Sequence, residues 1–528
     1  MHAAAMRSLA PISGRAGAPI MTGDPELQPD ICWQALLSRD RRFDGRFYAA
    51  AVTTGIYCRP ICPVPFAKPN NIALYACAAA AEAAGFRPCR RCHPETSPGT
   101  PAWMGTSAVV SRALRLIWEG ALDIGSVDKL AERVGIGSRQ LRRLFIEHLG
   151  VPPIKIATTH RLHFARNLIE QTDMPMAEIA LNAGFKSIRQ FNHAMRTTTA
   201  QSPSELRRLR AELPILSQRG EFVMRLLYRP PYDWSALSAF LSSRATPGVE
   251  LVGDDFYQRT IESDDVAGFI DVRPDEENTC LVVRIALPKY EGLLRVVERV
   301  RRVFDLGADP LQIASNLSRD PGLKPLLDRR PGLRVPGAWD PFEVAVRAVL
   351  GQRLTVVDSN GVAGDLVRRF GRSLQTSVSG LTHLFPRAED LADIDLAPVV
   401  HDRECAKSLT ALARTVSTKE FTFEFSLTLQ DTILRLSAIC GIGEEAAHYV
   451  AMRVFSDPDA FPLSAQRLAR DRALGRIPDS PPRRAAPCAE SVEDEQDLLP
   501  RTPASVVESW RPWRAYAAMH LWARDGAI

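Results

Sequence analysis

Along the 528 residues the spacing of apolar positions changes period several times, and each change marks an element or a boundary. Between residues 46 and 54, Phe47, Ala49, Ala51 and Thr53 occupy alternate positions, the period of a strand, until Gly55 ends the run. Residues 30–37 predict a short helix ahead of it. From Ser107 to about Glu212 the period lengthens to that of helices. Ser126 is placed to cap a helix over residues 127–134, the turn Gly135-Ile136-Gly137 follows, and Ser138 is placed to cap a second helix through Leu149. The layout recurs as a helix over residues 176–181, the turn Ala183-Gly184-Phe185, and a helix opened by Ser187 that runs to about Thr197. Two helix-turn-helix units in one short span predict a bipartite reader of DNA.

Residues 207–220 are basic and loosely patterned and are expected to form a linker. After them, strands are predicted at residues 224–228 and 281–285 and helices at 234–241 and 290–304, a mixture that fits an α+β domain. Further on, residues 436–440 lead into the turn Gly441-Ile442-Gly443. Residues 470–507 are rich in Pro, Arg and acidic side chains without clear periodicity, which predicts a flexible insertion or a degraded segment. Residues 1–24 carry Arg7 and Arg15 but no continuous apolar core, so a disordered extension is expected, with Met6 and Met21 as alternative starts to Met1.

A composition of 45% hydrophobic and 24% charged residues is that of ordinary globular protein, and no apolar run approaches the length of a membrane span. The formal charge of +5 is mild, but the arginines are clustered, which favours nucleic acid as a partner. Ten cysteines are present, and four of them change the picture. Cys58-x3-Cys62 and Cys89-x2-Cys92 have the ligand spacing of one tetrahedral Zn²⁺ site. The other six are scattered singly, which suits a reducing cytosol. Arg59, Arg87, Arg90 and Arg91 surround the four sulfurs with positive charge and point to an anionic substrate. In the helical region Arg139, Gln140 and Arg143 of the first unit, and Arg189, Gln190, Asn192 and His193 of the second, are candidates for reading base edges in the major groove.

Three stretches carry family resemblances. Phe43-Asp44-Gly45-x-Phe47, Thr53-Thr54-Gly55-Ile56-Tyr57-Cys58-Arg59-Pro60 and Gly85-Phe86-Arg87-Pro88-Cys89-x-x-Cys92 resemble the N-terminal zinc domain of the Ada DNA-repair proteins. The resemblance implies that Cys58 accepts a methyl group from a methylphosphotriester in the DNA backbone. Four thiolates on Zn²⁺ sum to a formal −2 and a methylated set to −1, so DNA binding is expected to strengthen on methylation. Ile179-Ala180, Ala183-Gly184-Phe185, Ser187, Gln190-Phe191 and Ser202-Pro203 resemble the AraC-type DNA-binding domain.

The C-terminal half resembles the AlkA-type 3-methyladenine DNA glycosylases. The match runs through Arg229-Pro230-Pro231-Tyr232-Asp233-Trp234, Val303-Phe304-Asp305-Leu306, residues 329–337, residues 345–352 and Trp510-Arg511-Pro512-Trp513-Arg514. The Gly441-Ile442-Gly443 turn then corresponds to a helix-hairpin-helix module, in which small residues let backbone N–H groups approach a phosphate. Tyr449 and Trp522 stand at base-pocket positions, and Arg353 follows Gln352 where relatives intercalate a side chain. The family's catalytic Asp corresponds to Ala465, a pocket Trp to Glu445 and a hairpin Pro to Cys440. A methyl group cannot stabilise an oxocarbenium ion, and losing a comparable group costs on the order of 10²-fold or more. The nearby acids are Asp457, Asp459 and Asp471.

The expected fold class is therefore multidomain and mainly α. A disordered extension at 1–28 precedes a zinc-stapled α+β domain at 29–101 and an all-α double helix-turn-helix at 105–212. An AlkA N-terminal-like α+β domain at 221–327 and an all-α helix-hairpin-helix glycosylase-like domain at 328–528 follow. The expected function is a single-turnover methylphosphotriester methyltransferase and transcriptional regulator of alkylation repair, with weak or no glycosylase chemistry. An active glycosylase fused to the sensor, or a transcription factor without chemistry, are the alternatives. Expected partners are double-stranded and methylated DNA, with RNA polymerase as a further candidate and no membrane. The expected setting is the bacterial cytoplasm, at the nucleoid. None of the other cysteines stands in the Pro-Cys-His-Arg context implied by a second, O6-methylguanine-repairing domain; Cys488 is followed by Ala489-Glu490. An oligonucleotide carrying O6-methylguanine should therefore keep its methyl group on incubation with equimolar protein, and its demethylation would contradict this reading.

Overall fold

The computed structural model describes residues 27–65, 69–94, 97, 108–209, 221–263, 265–289, 292–423, 428–462, 464–465 and 504–524. The N-terminal extension through residue 26, the linker from 210 to 220 and the expected insertion through residue 503, with Asp471 and Cys488, lie outside the described residues.

The first helix, Pro29–Ser38, precedes β1 (Tyr48–Ala51), β2 (Ile56–Cys58), β3 (Ile72–Tyr75), the helix Ala78–Ala83 and β4 (Arg87–Pro88). The sheet order is β3-β1-β2-β4, with β2 and β4 parallel and the other pairs antiparallel. β1 is shorter than the alternation at 46–54 predicts, because residues 52–55 turn back towards β2. Both of its faces are covered. Phe47 and Ala49 pack with Cys32 and Leu36, while Tyr48 and Ala50 pack with Tyr57, Ala78 and Ala81. Small residues on both sides of a thin sheet leave little apolar volume, so this domain needs a staple.

The paired helix-turn-helix is built as the periodicity predicts, from Val127–Arg133 with Ser138–Leu149, and from Met176–Asn182 with Ile188–Thr199. Ser126 and Ser187 cap their helices by accepting from Lys129 N and Gln190 N. Ser138 does not: Gly137 is the cap and Ser138 is the first helical residue. The 19-residue helix Pro153–Gln171 joins the two units and is not evident from turn signals in the sequence. It carries the ion pair Arg161–Asp123, and the carboxylate of Asp123 sits where a Cβ on Gly184 would point.

A five-stranded antiparallel sheet follows. Its strands are β5 (Glu221–Leu227), β6 (Glu250–Val252), β7 (Tyr257–Ser263), β8 (Val266–Asp275) and β9 (Cys280–Ala286), in the order β5-β9-β8-β7-β6. β5 and β9 are the two strands expected. β7 carries polar residues that the fold buries, among them Arg259 and Thr260, so its burial does not show as an apolar alternation. The helices Trp234–Ser243 and Leu293–Val303 accompany this sheet, and the remainder is helical, including Pro341–Gly351, Arg403–Ser417, Glu444–Arg453 and Arg514–Arg524. No helix of the described residues is long and apolar enough to cross a membrane.

Buried polar side chains tie the parts together. Arg46 and Asp309 face each other at 2.8 Å, with side chains 0% and 1% exposed, off the alignment of a hydrogen bond. Arg229, fully buried, donates to the carbonyls of Asp44, Gly307 and Ala308. On the other side Glu82 accepts from Tyr57 and from Thr159 of the 19-residue helix. Burial alone would raise the Glu82 pKa, but His163, Thr159 and Lys155 hold it below the ordinary value. Arg46→Met should cost about 3 kcal/mol in chemical denaturation, because it strands the Asp309 carboxylate in the interior. A loss under about 1 kcal/mol, as for an exposed pair, would contradict that role.

Candidate metal centre and nucleic-acid interface

The zinc spacing is realised through the sheet. Cys58 closes β2, and Cys89 follows β4, whose parallel pairing with β2 is extended by Cys89 N donating to Tyr57 O at 3.0 Å. A tight turn brings Cys62 back, with its N–H on Arg59 O, and Cys92 completes the set two residues beyond Arg90. The four Sγ atoms lie within 4.8 Å of one another. Backbone N–H groups of Arg59 and Arg91 donate to the sulfurs of Cys92 and Cys89, each at 3.4 Å. Four soft donors so close, with amides aimed at sulfur, fit one Zn²⁺ held by Cys58, Cys62, Cys89 and Cys92. Three of them are sealed, with Cys62 at 0% and Cys89 and Cys92 at 7% exposure, whereas Cys58 is partly open to solvent.

Arg87, Arg90 and Arg91 are exposed on the segments that carry the ligands. Arg59 is a correction. It is 3% exposed, its guanidinium pairs with the Asp44 carboxylate, and it donates to Cys92 O at 3.0 Å. Its charge is spent inside the domain, bracing the ligand loop, and it does not present itself to DNA. Asp44 is thus a supporting residue that the reading of cysteine spacing misses, although it sits in the Phe43-Asp44-Gly45 motif.

In the helical units Arg139, Gln140, Arg143, Arg189, Gln190 and His193 are exposed on the second helices, with Asn192 partly so. The inner faces are filled by Leu141 and Phe145, and by Phe191 and Met195. Gln190 also accepts from Lys186 N, which ties it to the turn.

The hairpin Gly441-Ile442-Gly443 is exposed at both glycines. Gly441 has φ +82°, and a Cβ there would collide with Ser408, so this position demands glycine. Gly443 is a second correction, because its N–H donates to Gln352 Oε1 at 2.8 Å while Gln352 Nε2 donates to Gly441 O. The amide expected to grip a phosphate is occupied by a side-chain clamp. Behind it lies a cavity of about 550 Å³ lined by Tyr449 and Trp522, as expected, and also by Trp339, Gln352, Glu445 and Arg453. Burial pushes the Tyr449 phenol up, but Arg453, Arg244 and Arg347 outweigh it and leave it below its ordinary value. Arg353 is exposed beside the cavity mouth residue Gln352. Ala465 is fully buried.

A thiolate metal centre, paired helix-turn-helix units and a pocketed helix-hairpin-helix domain on one chain describe a protein that repairs or reads DNA. Three family models match it: the metal binding domain of Ada over residues 31–95, a helix-turn-helix domain over 130–209, and the AlkA N-terminal domain over 223–340. A probable bifunctional transcriptional activator/DNA repair enzyme AlkA of Mycobacterium tuberculosis is 37% identical over 496 residues, covering 93% of this chain and 95% of the relative. DNA-3-methyladenine glycosylase 2 of Escherichia coli is 28% identical over 57% of this chain and 97% of its own. The bifunctional transcriptional activator/DNA repair enzyme Ada of the same organism is 36% identical over 30% of this chain and 43% of its own. The chain belongs to the family of fused Ada/AlkA transcriptional activators and DNA-repair enzymes.

Metal analysis should find one zinc per chain, and Cys62→Ser should lose it together with the cooperative folding of residues 29–97, since a structural zinc contributes on the order of 10 kcal/mol. Retention of stoichiometric zinc by that variant would contradict the four-sulfur site.

Proposed function

We propose that Cys58 accepts a methyl group from DNA methylphosphotriesters, once per protein molecule, and that the helix-turn-helix units then act at promoters of alkylation-repair genes. The observation that carries this reading is the partial exposure of Cys58 beside three sealed partners, on a ligand set whose segments also carry the exposed Arg87, Arg90 and Arg91. Bound zinc would keep the sulfurs deprotonated at neutral pH. The exposed arginines would seat the anionic backbone on either side of the neutral triester. The Cys58 sulfur then attacks the methyl carbon. An S–C bond forms, the C–O bond breaks, and its electron pair stays on the phosphate oxygen, which returns as a diester anion. The thioether is not reversed by water, so the protein is consumed.

Methylation removes one negative charge facing the DNA, and the affinity of the whole chain for duplex rises. Arg139, Gln140, Arg143, Arg189, Gln190 and Asn192 are the side chains proposed to read bases, with Gly441 at the hairpin's approach to the backbone. Contact with RNA polymerase and a place at the bacterial nucleoid in the cytoplasm follow from the activator role. An oligonucleotide with a single methylphosphotriester tests the reading. It should lose its methyl in proportion to protein, one per chain without turnover, and Cys58→Ser should leave it intact. Catalytic turnover, or full demethylation by the Ser variant, would overturn the proposal.

A further inference from the structure

The expectation of weak or no glycosylase chemistry rests first on Ala465, with Glu445 and Cys440 as further departures. We propose that the carboxylate missing there is supplied by Glu445, from the neighbouring helix Glu444–Arg453. Ala465 is fully buried, and its neighbour Ser464 lines the 550 Å³ cavity. Ser464 N donates to Glu445 Oε2 at 2.9 Å and Ser464 Oγ donates to Oε1 at 2.7 Å. The carboxylate is thus pinned against the residue next to 465, on the cavity wall. Glu445 and Tyr449 are one helical turn apart and share that wall.

The other acids are committed elsewhere. Glu250 and Glu343 line the same cavity but both pair with Arg259, at 3.4 and 2.8 Å. Asp459 is held by Arg511 and Arg514, and Asp457 lines a separate cavity among the domains. Of the other cavity-lining guanidiniums, Arg453 donates to Pro336 O, Gly337 O and the Tyr449 hydroxyl, and Arg347 to Ser359 O, Arg244 O and Asn360 Oδ1. Among the described cavity-lining residues, Glu445 is the carboxylate with two fixed donors and no ion pair. Neutral donors on both oxygens fix its direction.

The reaction such a carboxylate serves is removal of an N-alkylated purine extruded from the duplex. The C1′–N bond breaks and its electron pair leaves with the base, which departs neutral because alkylation had made it cationic. The positive charge passes to the sugar, where Glu445 stabilises it. Water adds at C1′ and gives up a proton to solvent, leaving an abasic site. Glu445 thus replaces an aromatic ring in the relatives with the charge that position 465 has given up. Sequence alone gives the two departures; the Ser464 bridge brings them side by side.

The test is release of free methylated purines from methylated duplex DNA by the full chain, read by mass spectrometry. Wild type should release base, and Glu445→Gln should release at least ~10²-fold less at unchanged duplex affinity and melting temperature. Glu445→Asp, which keeps the charge, should retain release well above the Gln level. The proposal fails if wild type releases no base, if Glu445→Gln stays within about threefold of wild type, or if the Asp variant folds but is as inactive as Gln.

Discussion

Four sulfur atoms within 4.8 Å of one another cannot all be thiolates unless a cation stands among them. At an effective dielectric of about 20, each pair of charges at that separation repels by roughly 3–4 kcal/mol. The N-terminal domain is organised around meeting that condition. β2 and β4 run parallel so that Cys58 and Cys89 leave the sheet side by side. Arg59 turns inward to Asp44 and to Cys92 O, and backbone amides point at two of the sulfurs. The sheet is too thin, and its faces too rich in alanine, to hold this arrangement by apolar burial alone. A closed structural site would bury all four sulfurs, whereas this one leaves Cys58 partly open, which supports the proposal that its sulfur is the methyl acceptor.

The zinc domain does not stand apart. The carboxylate of Asp44 anchors Arg59, and the carbonyl of Asp44 accepts from Arg229, which also binds Gly307 and Ala308 of the AlkA-like part. Arg46 reaches Asp309 in the same region, and Glu82 joins the zinc domain to the helix linking the two DNA-reading units. Buried charges like these contribute modestly to net stability but penalise any arrangement that separates the partners. They bind the zinc domain, the helix-turn-helix units and the glycosylase-like half into one set of mutually dependent contacts.

Much of this was legible in the residues. Cysteine spacing marked the metal site, serine caps and glycine turns marked both helix-turn-helix units, and the Gly-Ile-Gly turn marked the hairpin. What escaped was carried by polar groups whose partners are far away in sequence. An arginine next to a ligand cysteine looks like a DNA contact until Asp44 takes it. A glycine amide looks free until Gln352, 91 residues earlier, occupies it. β7 has no clear apolar alternation, because its buried Arg259 is neutralised by the distant Glu343. Glu445 looks like damage until Ser464 places it. Periodicity reports which face is buried and says nothing about which distant side chain will neutralise a buried charge.

Under the proposed function, alkyl-transfer chemistry resides on one atom, the sulfur of Cys58. Peptide-level mass spectrometry of the full chain after incubation with methylphosphotriester DNA tests that placement most directly. It should find a single methyl group, on the peptide carrying Cys58, with Cys62, Cys89 and Cys92 unmodified. A methyl on any of those three, or none at all on a zinc-loaded protein, would contradict the account.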